Sequence, residues 1–252
     1  MTTKALKSAF ATWSATGQPL VLATVYDTEG STYSKAGAHM LITGEATFQG
    51  MLSGGCLEGD LAERARQVIE SGTPQAVTYD LGKNDEELWG LGVGCDGLMR
   101  IFLQPLLADA GYEPFQSILK ALDGDTTEVA ATVIESTSTA LPTGSSLVSV
   151  DGAVAWSSID ADAQSEVWPL VQDARSEPRS RTASIDNVDG QAQVLLGTLQ
   201  PPPRVLVLGA GLDAGPVVRF ALELGWRITV QDHRPAYIES GDFSNADAVL
   251  CV

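Results

Sequence analysis

What this chain has little of narrows its chemistry first. Three cysteines, Cys56, Cys95 and Cys251, are spread over 252 residues. A disulfide framework uses an even set, so free thiols in a reducing cytoplasm are expected. Basic residues are scarce: 15 lysines and arginines stand against 32 acidic residues, a formal charge of −17. A general nucleic-acid surface or an anionic membrane would repel such a chain, although a small anion in a local pocket would not be excluded. No apolar run approaches the length of a membrane span. Met1-Thr2-Thr3-Lys4 leads into an amphipathic pattern in place of an apolar signal core, which argues against export. What is present is enough apolar material, 44% of residues, for one large domain or two ordinary ones.

The stretch Ser53-Gly54-Gly55-Cys56-Leu57-Glu58-Gly59 concentrates the chemistry. Two glycines let the backbone adopt positive φ and approach a ligand closely. An amphipathic helix begins directly after the cysteine, with Leu57, Leu61, Ala65, Val68 and Ile69 on one face. A helix N-terminus offers unpaired N–H groups and partial positive charge, which suits an anion and favours a thiolate. Glu58 falls in that helix's first turn as a dipole or capping residue. A tight strand-to-helix turn with a buried structural cysteine fits the same spacing. A second glycine cluster, Gly90 to Gly97, contains Gly94 and Cys95 and is unusual for an ordinary connection.

Along the chain, residues near 3–16 read as a helix ending at Gly17, and Leu20 to Val25 as a strand buried on both faces. His39–Ile42 and Ala46–Gln49 form a hairpin turning at Gly44-Glu45. Gln75–Leu81 and Arg100–Leu103 are strands, the latter stopped by Gln104-Pro105. Then follow a helix near 114–122, a strand over Glu128–Glu135 and a hairpin around Asp151-Gly152. A helix stops before Pro178, and Asp189-Gly190 turns Arg181–Ile185 into Gln191–Leu199. The fold class is α/β: a mixed N-terminal domain over residues 1–106, an intervening α+β segment over 107–200 packed on it, and a partial Rossmann domain over 201–252. Pro201-Pro202-Pro203 marks the last boundary.

Beyond those prolines, a strand at Arg204–Leu208 meets Gly209-Ala210-Gly211-Leu212-Asp213-Ala214, then a helix to Leu224 and a strand ending at Asp232. This is the dinucleotide fingerprint with alanine in the third glycine position. Gly209 and Gly211 would approach a pyrophosphate, and Asp232 would meet ribose hydroxyls. Asp213 opposes that role. Two like charges about 5 Å apart at an effective dielectric near 20 repel by roughly 3 kcal/mol. The alternative is that Asp213 caps its own helix, leaving room for Pro216 in the first turn. Ala248–Val252 reads as a third parallel strand, and the expectation is a fragment of a longer protein, because the uncovered sheet would aggregate.

Gly30-Ser31-Thr32-Tyr33, Gly37-Ala38-His39-Met40, Ser53–Glu58 and Gly92–Gly97 together resemble the N-terminal domain of the XdhC/CoxI family. Pro202-Pro203-Arg204, Gly209–Ala214, Leu224-Gly225-Trp226-Arg227 and Asp232-His233-Arg234-Pro235 resemble its C-terminal Rossmann domain. The resemblance implies a non-enzymatic accessory protein. Such a protein binds the molybdenum cofactor (molybdopterin), assists its sulfuration with a cysteine desulfurase, and passes it to an apo molybdenum hydroxylase of the xanthine dehydrogenase type. It implies cofactor contacts from Gly54, Gly55, Cys56, Glu58, Gly94 and Cys95, with Cys56 the candidate molybdenum contact. The residues agree in kind: glycine-rich amides suit a phosphate, and thiolates suit a soft metal centre. Gly209, Gly211 and Asp232 remain candidates for NAD(P) or another nucleotide, and a homodimer is a further candidate assembly. Two rival functions stay open: an NAD(P)-dependent oxidoreductase built on the fingerprint, and a thiol or zinc enzyme using His39, Cys56 and Cys95. The spacing of those three matches no close-spaced zinc motif.

Overall fold

Short apolar runs separated by turn residues fold into two units, one of Leu6–Gln200 and one of Pro201–Val252 grouped with the start of the chain up to Ala5. The computed structural model describes residues 3–80, 97–177, 179–187 and 189–252.

In the first unit, helix α1 (Thr3–Ser14) precedes strands β1 (Leu20–Glu29), β2 (His39–Thr43) and β3 (Phe48–Gln49), helix α2 (Glu58–Ser71), and strands β4 (Gln75–Asp80) and β5 (Leu98–Leu106). The strands form an antiparallel sheet in the order β3-β2-β1-β5-β4. The continuous apolar run of β1 places it at the centre, buried on both faces. Val21, Ala23 and Val25 join Leu61, Ala65 and Val68 of α2 in one core. Leu20 and Leu22 point the other way, into a core with Phe10, Leu106, Phe115 and Val148. Each such fully buried aliphatic side chain contributes about 1.5–3 kcal/mol. Gly72, at φ 66°, ends α2 by donating to the Val68 carbonyl at 2.9 Å.

The strand expected to stop at Gln104-Pro105 continues to Leu106, and Pro105 stands opposite Val21. β4 is paired with β5 only as far as Leu103, so Pro105 lies where one flank of the strand has no neighbour. A missing N–H is tolerated at such an edge.

The unit continues with α3 (Phe115–Asp123), β6 (Glu128–Ser136), β7 (Ser146–Val150), β8 (Ala153–Ser157), α4 (Ala161–Ala174), β9 (Arg181–Asn187) and β10 (Gly190–Leu199). Their sheet runs β8-β7-β6-β10-β9 and is also antiparallel. Asp151 and Gly152 turn the β7–β8 hairpin with φ of 51° and 75°, the paired positive angles that the Asp-Gly signal anticipates. Helix α4 covers the outer face through Ala163, Val167, Val171 and Ala174. Tyr26, Phe102, Ile134 and Leu195 pack together between the two sheets.

In the second unit, β11 (Arg204–Leu208), α5 (Ala214–Glu223), β12 (Arg227–Asp232), α6 (Pro235–Ser240) and β13 (Ala248–Cys251) form a parallel sheet in the order β11-β12-β13. Ala214, Val218 and Ala221 of α5 pack with Ile228 and Val230 on one side. Leu206 and Leu208 of β11 are exposed.

Candidate functional site

The cysteine loop is reached through Gly50, whose φ of +136° carries the chain over β2. A Cβ at that position would sit 2.5 Å from the Met40 Cα, so only glycine fits. Beyond it, Leu52 to Leu57 wrap around the carboxylate of Glu58. Oε1 accepts the Leu52 and Ser53 amides, each at 2.9 Å. Oε2 accepts the Ser53 hydroxyl at 2.6 Å and the Gly55 and Leu57 amides at 3.0 and 3.2 Å. The Ser53 Oγ also accepts from the Leu57 amide at 2.8 Å. Glu58 is 3% exposed. Burial alone would push its carboxyl up. The bonds from the Ser53 hydroxyl and from the Ser53 and Leu52 amides outweigh burial and hold the group below the ordinary carboxylate range.

Glu58 lies in the first turn of α2, where the sequence places a dipole or capping residue. Its oxygens accept the amides of the preceding loop and fix that loop's shape. That arrangement depends on Gly54 and Gly55, with φ of 84° and 112°. Gly54 lies against the Tyr33 ring, the nearest carbon being 3.2 Å from where a Cβ would stand. Around the corresponding point of Gly55, no described atom lies within 4 Å. Among the described residues, the Cβ side of Gly55 is therefore uncovered. Cys56 is a half-buried free thiol packed against the α2 core.

Two further motifs come to the same end of the sheet. The Ser34 hydroxyl donates to the Met51 carbonyl at 3.2 Å, tying the 30–35 loop to the cysteine loop. Lys35 Nζ donates to Thr32 Oγ1 at 3.1 Å, and that hydroxyl donates to the Ser34 carbonyl at 2.9 Å. Gly97 fits beneath this loop: a Cβ there would stand 2.6 Å from Thr32 Cγ2 and 2.8 Å from the Glu29 carbonyl oxygen. Gly94 and Cys95 lie outside the described residues. Ser53, Tyr33 and Gly50 were not singled out from the sequence as site residues; the Ser-Gly-Gly spacing was the available signal for Ser53.

His39 heads β2 with Nδ1 3.1 Å from Thr24 Oγ1, while its buried Nε2 has no hydrogen-bond partner among the described residues. Burial pushes its pKa down to about 4, so the ring is neutral near pH 7. Among the described residues, no three His, Cys, Asp or Glu side chains are grouped to hold a metal ion.

In the parallel-sheet unit, Asp232, the ribose candidate, is buried and engaged by its neighbours. One oxygen accepts the Ala210 amide at 2.7 Å and Arg234 Nη2 at 2.9 Å; the other accepts the Arg234 amide and Nε at 2.9 and 3.0 Å. The Arg234 side chain, followed by the Ala210 amide, holds this carboxyl well below the usual range. The Arg234 guanidinium also lies 3.8 Å from the Tyr237 ring centroid. Gly209 adopts φ +110°, as the turn requires. At Gly211 a Cβ would stand 2.9 Å from Asp213 Oδ1, so the Asp213 carboxylate lies close against that glycine. Asp213 holds the N-cap position without a side-chain cap bond, unlike the capping alternative read from the sequence. Pro216 accounts for this in part, because it stands at the third helical position and has no N–H to be capped.

The sequence model of the XdhC and CoxI family matches residues 13–80. That segment carries the Gly30, Gly37 and Gly54–Glu58 motifs, and the resemblance read from them holds. A curated relative from Bacillus subtilis (strain 168), described as a probable subunit of xanthine dehydrogenase, is 28% identical over 233 residues, covering 91% of this chain. The chain spans 64% of that relative's length. A crystal structure described as that of a xanthine dehydrogenase from Bacillus halodurans superposes with a TM-score of 0.73 at 26% identity, covering 100% of this chain and 68% of that one. The mixed α/β class with a parallel sheet agrees with this neighbour.

Proposed function

We propose, from a chain that matches the XdhC and CoxI family over residues 13–80, that this protein is an accessory factor for maturation of a molybdenum hydroxylase of the xanthine dehydrogenase type. In this reading it is not itself an enzyme. It binds the molybdenum cofactor, assists its sulfuration with sulfur from a cysteine desulfurase, and hands it to the apo-hydroxylase in the cytoplasm. Among the described residues no helix is long and apolar enough to cross a membrane.

The observation that carries this reading is the loop held by Glu58, in which no described residue covers the Cβ side of Gly55 and Cys56 stands next to it within the family-matched segment. The donor set suits the cofactor's chemistry. The cofactor supplies a phosphate-bearing pterin and a soft, sulfur-ligated molybdenum centre. Gly54 and Gly55 let the backbone come close to it, Cys56 offers the soft contact, and Lys35 on the neighbouring loop provides a positive charge. Glu58 positions these groups without touching the ligand.

The test is the molybdopterin content of the purified protein. Wild type is expected to retain it, and Cys56→Ala and Cys56→Ser are each expected to lower retention at least several-fold while the chain stays folded. Unchanged content in both variants removes Cys56 from the site.

A dinucleotide fits less well. Asp232 is committed to Ala210 and Arg234, and the Asp213 carboxylate lies close to Gly211, where a pyrophosphate would approach. Titration with NAD(P)H in parallel with molybdopterin separates the oxidoreductase reading, and stoichiometric zinc uptake would favour the thiol or zinc enzyme.

A further inference from the structure

The described elements between Leu6 and Gln200 repeat one pattern. The series α1-β1-β2-β3-α2-β4-β5 is followed by α3-β6-β7-β8-α4-β9-β10, and the sheet orders β3-β2-β1-β5-β4 and β8-β7-β6-β10-β9 agree strand for strand. Finer detail repeats as well. The Val25 amide donates to the Ala38 carbonyl at 2.9 Å and the Gly37 amide to the Val25 carbonyl at 2.8 Å. Val133 and Ser145, then Gly144 and Val133, reproduce both bonds at 2.9 and 2.8 Å. Gly37 and Gly144 have φ of 91° and 90°. A bulge interrupts β1 at Tyr26, between Val25 and Asp27, and another interrupts β6 at Ile134, between Val133 and Glu135. The sequence keeps traces of this: Ala23-Thr24-Val25 against Ala131-Thr132-Val133, and Asp96-Gly97 against Asp189-Gly190. Shared topology alone would not place a bulge, a positive-φ glycine and two hydrogen bonds at matching positions.

Contacts between the copies are reciprocal. A Cβ on Gly37 would strike the Ser180 side chain, just before β9; one on Gly144 would meet Pro74 Cγ at 2.8 Å, just before β4. Ser180 and Pro74 hold the same place ahead of equivalent strands. Tyr26 and Phe102 pack with Ile134 and Leu195, which are their own counterparts by register. Such reciprocity marks an isologous, twofold interface.

The copies differ in two connections. Residues 50–57 join β3 to α2, whereas residues 158–160 join β8 to α4; residues 81–97 join β4 to β5, whereas residues 188–189 join β9 to β10. The first copy alone has Gly54, Gly55, Cys56 and a glutamate opening its helix. Helix α4 opens on Ala161.

We propose that residues 6–200 are two fused copies of one αβββαββ unit packed about a local twofold, the second copy serving as the internal partner against which the ligand-bearing first copy is built and binding no ligand itself. The ligand half of this statement rests on the accessory reading above. Two measurements on the full chain test it. Gly37→Ala and Gly144→Ala place the same positive-φ strain at matching points, each with a clash against the other copy, so each is expected to lower Tm by several degrees. Ser180→Ala and Pro74→Ala, which trim the atoms facing the two glycines, provide a milder pair should the glycine variants fail to fold. A clear loss at one glycine with none at its mate overturns the shared scaffold. Molybdopterin quantified against protein is expected to saturate at one per chain, and two per chain overturns the single-site assignment. A chain that binds none removes the accessory reading and with it the ligand half, while the glycine pair still decides whether the copies are equivalent.

Discussion

The two copies of the αβββαββ pattern form an internal control. Where they agree, in the central strands, the bulges and the glycines at φ near 90°, the residues serve the scaffold. Where they part, the first copy has added chain: residues 50–57 and 81–97 replace connections of three and two residues in the second. The family match over residues 13–80 also falls on the first copy. A residue can therefore be weighed by asking what stands in its place in the other half.

Glu58 gives the largest expected contrast. Glu58→Gln removes one acceptor and points an amide N–H₂ at N–H donors, leaving buried amides unpaired. The expected loss is about 2–4 kcal/mol by urea unfolding, with molybdopterin retention falling alongside it. Ala161→Gln, at the start of the partner helix, is expected to change stability by less than about 0.5 kcal/mol, because no carboxylate is involved there. An equal effect at both would erase the distinction between the two loops.

His39 comes next, its counterpart by register being Ser146. Unfolded histidine binds a proton near pH 6.5, whereas the buried ring binds one only near about 4. Between these values the unfolded chain holds more protons, so stability falls as pH drops through that window, by at most about 3 kcal/mol. Urea midpoints measured at pH 7 and pH 4 should differ less in His39→Gln than in wild type. The comparison should be made as a difference between the two chains, because Glu58 also loses its stabilising charge at the acid end. An identical acid loss in both chains would show that His39 is not responsible.

Arg100 is expected to matter least. It pairs with Asp27 and Glu29, while its counterpart Gln193 stands opposite Glu135 with no positive charge. These partners are largely exposed, so Arg100→Gln should cost no more than about 1 kcal/mol, less at high salt, as thermal melts at two ionic strengths would register.

Much of this was legible in the residues. Leu20 to Val25 announced a strand buried on both faces, Asp151-Gly152 announced its hairpin, and the glycine fingerprint announced the parallel sheet. The position of the cysteine loop and the helix after it were also readable. What Glu58 does was not, because the five bonds to its carboxylate depend on backbone angles at Gly54 and Gly55 that spacing does not specify. The setting of Asp232 was not legible either. Its position along the chain suits a ribose, but Arg234, two residues on, folds back onto it. Pro105 read as a stop because the absence of a neighbouring strand on one flank is a tertiary fact. The repeat is hidden in the sequence because only a few residues persist between copies, while registers and bulges appear only in three dimensions.

The unequal β4–β5 and β9–β10 connections bear on how the chain reaches its fold. β4 and β5 are separated by 17 residues along the chain, β9 and β10 by two, and bringing together strands so separated costs about 2 kcal/mol more in chain entropy, by logarithmic scaling with separation. The β9–β10 hairpin is therefore expected to pair well before β4 meets β5, with folding spreading from the second sheet to the first. On that order of events, the half of the unit that carries the cysteine loop is the last to become ordered.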